Sequence, residues 1–219
     1  MRGPLLCAAI LLGLGAAAPA QAGAWLKAKS ETYLSFGIDH DRWGSWLSLY
    51  GERGWSDRFT LGVSLGGREN PLMPVTGMDV EGYTFLRGAI RGEGDTRIAW
   101  QVGAGAKLDA AHGTIPQAHL GGAIGRGFPN GRWANLDLAA VTTFHPERET
   151  HELRADAAVG LGEIRLGSVV IEGSARYDGD TVDYGLTPTL GREFRGFEVR
   201  GGVRLGTENG LRLRVSRSF

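Results

Sequence analysis

Apolar side chains recur at every second position through most of this chain, a period of two that belongs to extended strands and not to helices. Residues 97–108 show it most clearly. Ile98, Trp100, Val102, Ala104, Ala106 and Leu108 fall on one face, and Arg97, Ala99, Gln101, Gly103, Gly105 and Lys107 on the other. The same alternation predicts further strands around Thr32 to Ile38, a short one at Leu47 and Leu49, then Phe59 to Leu65, Thr84 to Ile90, Ala118 to Ile124, Ala134 to Ala140 and Leu153 to Leu161. Four more follow at 169–177, 182–190, 197–205 and 211–219. The total is about twelve strands, with ten as the alternative, and the register is least defined over 52–59 and 71–83.

The intervals are rich in Gly, Asp, Asn and Pro, which supply turn dihedrals. An even strand count brings both chain ends to one side, so the connections fall into two sets. The set opposite the chain ends is expected at 39–41, 67–79, 109–114, 145–150, 178–180 and 207–210. The set beside them is expected at 52–57, 92–95, 127–131 and 193–196. None is long enough to form a plug domain.

Alternation alone also suits a soluble β-sandwich, whose buried face is packed with large apolar groups. Here the face opposite the apolar one carries Arg97, Lys107, Asp137, Glu152, Arg154, Asp156, Glu172, Arg176, Asp183, Glu198, Arg200, Arg204, Arg212 and Arg214, together with Arg87 and His119. Glycine is interspersed, and its 36 residues in 219 are more than twice the usual share of about 7%. Charged, glycine-rich inner positions behind an apolar outer face describe a wet or ion-paired lumen facing away from lipid. In hydrocarbon every backbone donor needs an internal partner, so a chain of strands spans only as a closed barrel. The expected fold is therefore all-β: a transmembrane, antiparallel, up-and-down β-barrel. Trp25, Tyr33, Trp43, Trp46, Trp55, Trp133, Phe144, Tyr177, Tyr184, Phe194 and Phe197 lie mostly near strand ends, where an interfacial girdle sits.

Residues 1–22 read differently. A short positive start at Arg2, an apolar run over 5–18 and the small-x-small sequence Ala20-Gln21-Ala22 match a secretory signal peptide cut after Ala22. The run is shorter than the ~20 residues of a spanning helix. Cleavage removes Cys7, the one cysteine, leaving 23–219 as a single barrel domain free of disulfides and thiol chemistry. Lys plus Arg and Asp plus Glu both number 24; zero net charge implies no polyanionic partner such as nucleic acid.

At the carboxy end Leu211, Leu213 and Val215 alternate up to a terminal aromatic, Phe219. This resembles the assembly signature of Gram-negative outer-membrane β-barrels over about the last nine residues, with Arg217 where an apolar side chain is usual. The resemblance implies insertion by the barrel-assembly machinery and contact with outer-membrane lipids and lipopolysaccharide. It is also consistent with a monomer needing no cofactor or metal.

For function, the expectation is a structural or porin-like small-solute barrel with a narrow, charged, largely ion-paired lumen. Acidic residues gather on the eighth to tenth strands and Arg200, Arg204, Arg212 and Arg214 on the last two, so the charges either form facing walls or pair off and constrict the bore. A lipid-modifying His/Ser enzyme is the alternative, with His40 and Ser45, His119 with a serine from another strand, or His151 with Glu152 as candidate groups; no nucleophile motif frames any of them. A secreted soluble β protein is the third reading. His145, Glu147, Glu149 and His151 form a loop cluster of metal-ligand types, read as a solvated polar loop.

Overall fold

The computed structural model describes residues 24–69, 78–109 and 112–219. The expected signal peptide with Cys7, most of the 67–79 connection and part of 109–114 lie outside them. Twelve antiparallel strands occur among the described residues: β1 (Thr32–Asp41), β2 (Gly44–Ser56), β3 (Phe59–Glu69), β4 (Met78–Glu93), β5 (Thr96–Asp109), β6 (Gly113–Phe128), β7 (Arg132–Phe144), β8 (Glu149–Ile164), β9 (Gly167–Tyr177), β10 (Val182–Phe194), β11 (Phe197–Gly206) and β12 (Gly210–Ser218). Each pairs with its neighbours in the chain, and β1 pairs with β12, which closes the sheet into a barrel. The seam is sealed at its end by Thr32 and Phe219, each N–H donating to the other's carbonyl at 2.8 and 2.9 Å. Closure leaves no edge strand, the condition for all-strand backbone to sit in hydrocarbon. No described helix is long and apolar enough to cross a membrane.

Two expectations change. The interval 52–57 is not a turn: β2 continues to Ser56, and the chain reverses at 57–58. Gly51 and Gly54 interrupt the apolar alternation there, so the strand is hard to trace by hydropathy. Likewise 39–41 completes β1, and the reversal is at 42–43. The barrel thus has a terminal end, holding the start of β1, Phe219 and the turns at 57–58, 94–95, 129–131, 165–166 and 195–196, and a far end with the other connections. Three register shifts, between Gly54 and Ser56, Ala89 and Arg91, and Gly160 and Gly162, sit toward the terminal end, where each bends its strand and adds local twist.

The outer face is apolar along every strand, from Leu34 and Phe36 through Leu120, Leu138 and Leu153 to Leu211 and Leu213, all exposed. Trp55, Phe194 and Phe197 ring the terminal end on the outside, and Trp43, Phe144, Tyr177 and Tyr184 the far end. Trp25, Tyr33, Trp46 and Trp133 depart from the girdle expectation and turn inward. Each indole has a glycine to lie on: a Cβ at Gly125, Gly66 or Gly160 would stand 2.4, 2.5 or 2.2 Å from Trp25, Trp46 or Trp133. Arg217 faces out at the terminal rim, its guanidinium 4.8 Å from the Phe197 ring and 5.8 Å from that of Phe219. Two aromatic faces thus take the place of the apolar neighbour usual at that position.

Candidate functional site in the barrel interior

The terminal mouth is crossed by the segment that precedes β1. Lys27 N–H donates to Thr60 Oγ1 of β3 at 3.0 Å, and Ala24 N–H to Asn135 Oδ1 of β7 at 3.1 Å. Since β1 and β7 are six strands apart in a ring of twelve, residues 24–30 run as a strap from one wall to the opposite one. Asn135 is oriented for this by Asp137, which accepts from its amide nitrogen. Trp25 packs edge-on against Trp133 at 6.3 Å, and the buried Lys27 lies 4.9 Å from the Tyr33 ring and 3.9 Å from Glu31. Gly54 is what lets the strap lie down: a Cβ there would stand 1.9 Å from Ala28 O.

Above the strap, the wall from β1 to β7 is largely aromatic and apolar. Tyr33, Tyr50, Phe85, Tyr83 and His119 follow one another at ring separations of 6.2, 5.9, 5.8 and 4.1 Å, and Ile115, Val141 and Ala99 are buried beside them. In its midst lies a buried ion pair between non-adjacent strands, Arg87 Nη1 to Glu52 Oε1 at 2.5 Å, with side-chain exposures of 7% and 0%. Tyr50 Oη donates to the same carboxylate oxygen, and Arg87 Nη2 donates to Gln101 Oε1 at 2.8 Å. An ion pair this dry holds only with such secondary hydrogen bonds.

The wall from β8 to β12 carries the charges. Arg212 bridges Asp39 of β1 at 2.6 Å and Glu172 of β9 at 2.5 Å, and Arg214 reaches Glu172 at 3.1 Å. Arg154 pairs with Glu152 and reaches Glu81 of β4, four strands away, at 3.5 Å; Arg176 meets Glu152 at 3.1 Å. Arg200 pairs with Glu198, donates to Ser168 Oγ at 2.8 Å and to Thr189 Oγ1 at 3.1 Å. Contacts between strands that are not sheet neighbours are made only through the interior, so these side chains project into it. Arg97 sits exposed at the terminal rim and donates to Gly94 O at 2.6 Å; Lys107 is half-buried toward the far end of β5. Asp156, Asp183 and Arg204 have no ion pair in direct contact among the described residues. They line a far-end cavity of about 450 Å³ with Asp39, Trp46, Arg68, Arg176 and Glu208.

Of the assembly-signal residues, Leu211, Leu213 and Phe219 are exposed on the outer face and Val215 half-exposed. Sequence reasoning missed the partners Glu52, Asp39, Glu81 and the Asp41–Arg68 pair (2.6 Å), because they fell in presumed turns or in stretches of weak register. Parity was the available signal: Glu52 shares even numbering with the inward Trp46 and Tyr50, and Asp39 shares odd numbering with Tyr33 and Ser35. His40 Nδ1 and Ser45 Oγ share a 2.9 Å hydrogen bond at the far rim, with no carboxylate on the other ring nitrogen among the described residues. His119 stacks on Tyr83, and its Nε2 is buried without a hydrogen-bond partner. His112 approaches His145 and Glu147, and His151 approaches Glu149; no group of three ligand-type side chains among the described residues is placed to hold a metal.

No family model matches the chain, and no curated protein matches it by sequence. Solved structures do match in shape. The KdgM porin superposes with a TM-score of 0.58 at 10% identity, over 86% of this chain and 99% of the porin. An outer-membrane channel from Pseudomonas putida F1 superposes with a TM-score of 0.54 at 13% identity, over 93% of this chain and all of that one (100%). At such identities the likeness is one of fold, and the chain is a closed, antiparallel, twelve-stranded barrel of the kind that these channel proteins share.

Proposed function

We propose that this chain is a bacterial outer-membrane barrel that works as a constricted channel for small polar solutes, exported through residues 1–22 and inserted by its carboxy-terminal strand. The terminal end faces the periplasm and the far end the external medium. The outer wall meets lipid and lipopolysaccharide, and the barrel acts as a monomer. The observation that carries the reading is the pairing of arginines and carboxylates across non-adjacent strands, inside a wall whose outer face is apolar. Unpaired charge in a narrow interior is expensive, and ion-paired charge leaves a polar, wettable path that excludes large solutes.

The strap sets the conductance in this reading. It is tied down by three hydrogen bonds, from Ala24 to Asn135, Lys27 to Thr60 and Ser30 to the Gly54 carbonyl, worth about 1 kcal/mol each, so it yields without unfolding the barrel. The test is single-channel recording in planar bilayers. The wild-type chain is expected to give small, discrete conductance steps, and a variant lacking residues 24–29 clearly larger ones. Folded protein with no steps in either form would remove the channel reading.

A further inference from the structure

The far-end vestibule carries a charge pattern that the rest of the interior lacks. Elsewhere in the interior Arg87, Arg200, Arg212 and Arg214 each meet a carboxylate. In the vestibule Arg68 is taken by Asp41, Asp39 by Arg212, and Arg154 and Arg176 by Glu152. That leaves Asp156 on β8, Asp183 on β10 and Arg204 on β11 around one cavity with no ion pair in direct contact among the described residues, Asp156 facing Arg154, Arg176 and Arg212 only through space. The Arg204 side chain lies across Gly185, where a Cβ would come within 2.9 Å of Nε, and that Nε is buried with no hydrogen-bond partner. Glu208 at the rim adds another negative charge beside Asp41. The unassigned groups are thus one guanidinium against two carboxylates, with a further carboxylate at the entrance.

We infer that the vestibule binds a small solute bearing one carboxylate and a net positive charge, the chemistry of an amino acid with a cationic side chain. The solute carboxylate takes Arg204, whose planar fork suits bidentate pairing. Its two ammonium groups take Asp183 and Asp156. A cavity of about 450 Å³ lies within the roughly 300–1,000 Å³ range of small-molecule sites. The charge count decides against a dicarboxylic solute, which would leave Asp156 and Asp183 facing like charge. It decides against a simple diamine as the best ligand, since a diamine leaves Arg204 unanswered. The inference rests on the channel reading for the direction from which the solute arrives, while binding itself is measurable without transport.

The experiment is isothermal titration of the mature, detergent-folded chain with L-lysine, L-glutamate and cadaverine, the last being lysine without its carboxylate. Lysine is expected to bind at least about tenfold more tightly than glutamate, the worth of one charged hydrogen bond. Arg204→Gln is expected to weaken lysine by about tenfold and leave cadaverine unchanged, and Asp183→Asn to weaken both by about the same factor. Folding of each variant is read from its heat-modifiable gel migration, and the wild-type comparison of three solutes stands without any variant. Equal or tighter glutamate binding, or no binding of lysine by folded protein, overturns the inference. Neither result touches the channel reading if conductance steps persist, and absent steps with lysine bound would sink the channel reading alone.

Discussion

Replacing Glu52 by Ala removes the one carboxylate that meets Arg87, and the magnitude follows from how dry the pair is. Both side chains are almost fully withdrawn from solvent, and the contact is 2.5 Å. Two charges about 4 Å apart attract by about 4 kcal/mol at an effective dielectric near 20, whereas exposed pairs are worth only about 0–1 kcal/mol. Truncating one partner of a buried pair leaves the other uncompensated and costs about 3–5 kcal/mol. Arg87 would keep Gln101 as its hydrogen-bond acceptor and the Phe85 ring beneath it, while Tyr50 would lose the acceptor of its hydroxyl.

The assay is reversible urea unfolding from lipid vesicles, followed by tryptophan fluorescence, with stability taken from the midpoint and slope. Glu52→Ala, Glu52→Leu and Arg87→Met are each expected to destabilise by about 3–5 kcal/mol. The double variant Glu52→Leu/Arg87→Met exchanges the pair for apolar volume and is expected to return to within about 2 kcal/mol of wild type, a coupling with the Glu52→Leu and Arg87→Met singles of roughly 4 kcal/mol or more. Single costs below about 1 kcal/mol, adding without coupling, would mean that water screens the pair as on a surface. The interior would then be open at this level and the constriction argument wrong.

Gly54→Val places a branched Cβ where only 1.9 Å separates that position from Ala28 O; it should lift the strap and raise single-channel conductance toward that of the strap deletion while urea stability changes little. Deleting Phe219 removes the two hydrogen bonds that end the β1–β12 seam, and folding yield into vesicles is expected to fall. In the turn after β9, Asp178 accepts from the Thr181 and Asp180 N–H groups and the Thr181 hydroxyl, which hold its carboxyl below the ordinary value of 3.8. A depressed folded pKa means the turn is fully supported above that ordinary value and loosens as pH falls through the lower one; NMR titration of the Asp178 carboxyl should show it, and an unshifted midpoint would refute it.

The alternation from Ile98 to Leu108 and from Leu153 to Leu161 made the strands and the barrel legible, because a lipid-facing wall enforces period two more strictly than a soluble surface does. Legibility failed where inner and outer positions carry similar side chains. At 51–54 two glycines and Arg53 erase the contrast, hiding Glu52 and with it the driest ion pair of the interior. The inward Trp46 and Trp133 were unreadable as lumen residues because strand-end aromatics suit a girdle equally well; only the facing glycines, set by register across strands, decide the matter. The strap is a pairing of Ala24 with Asn135, 111 positions apart, and no local pattern encodes it.

The most direct test of the central claim uses the absence of cysteine after Cys7. Single cysteines at positions 117 to 120, spin-labelled in a vesicle-folded chain, should alternate: Ala118 and Leu120 sites relaxed by oxygen from the bilayer, Gln117 and His119 sites shielded from it. Labels at Ala118 and Leu120 relaxed instead by a water-soluble nickel chelate, with no dependence on lipid, would contradict a membrane-spanning wall.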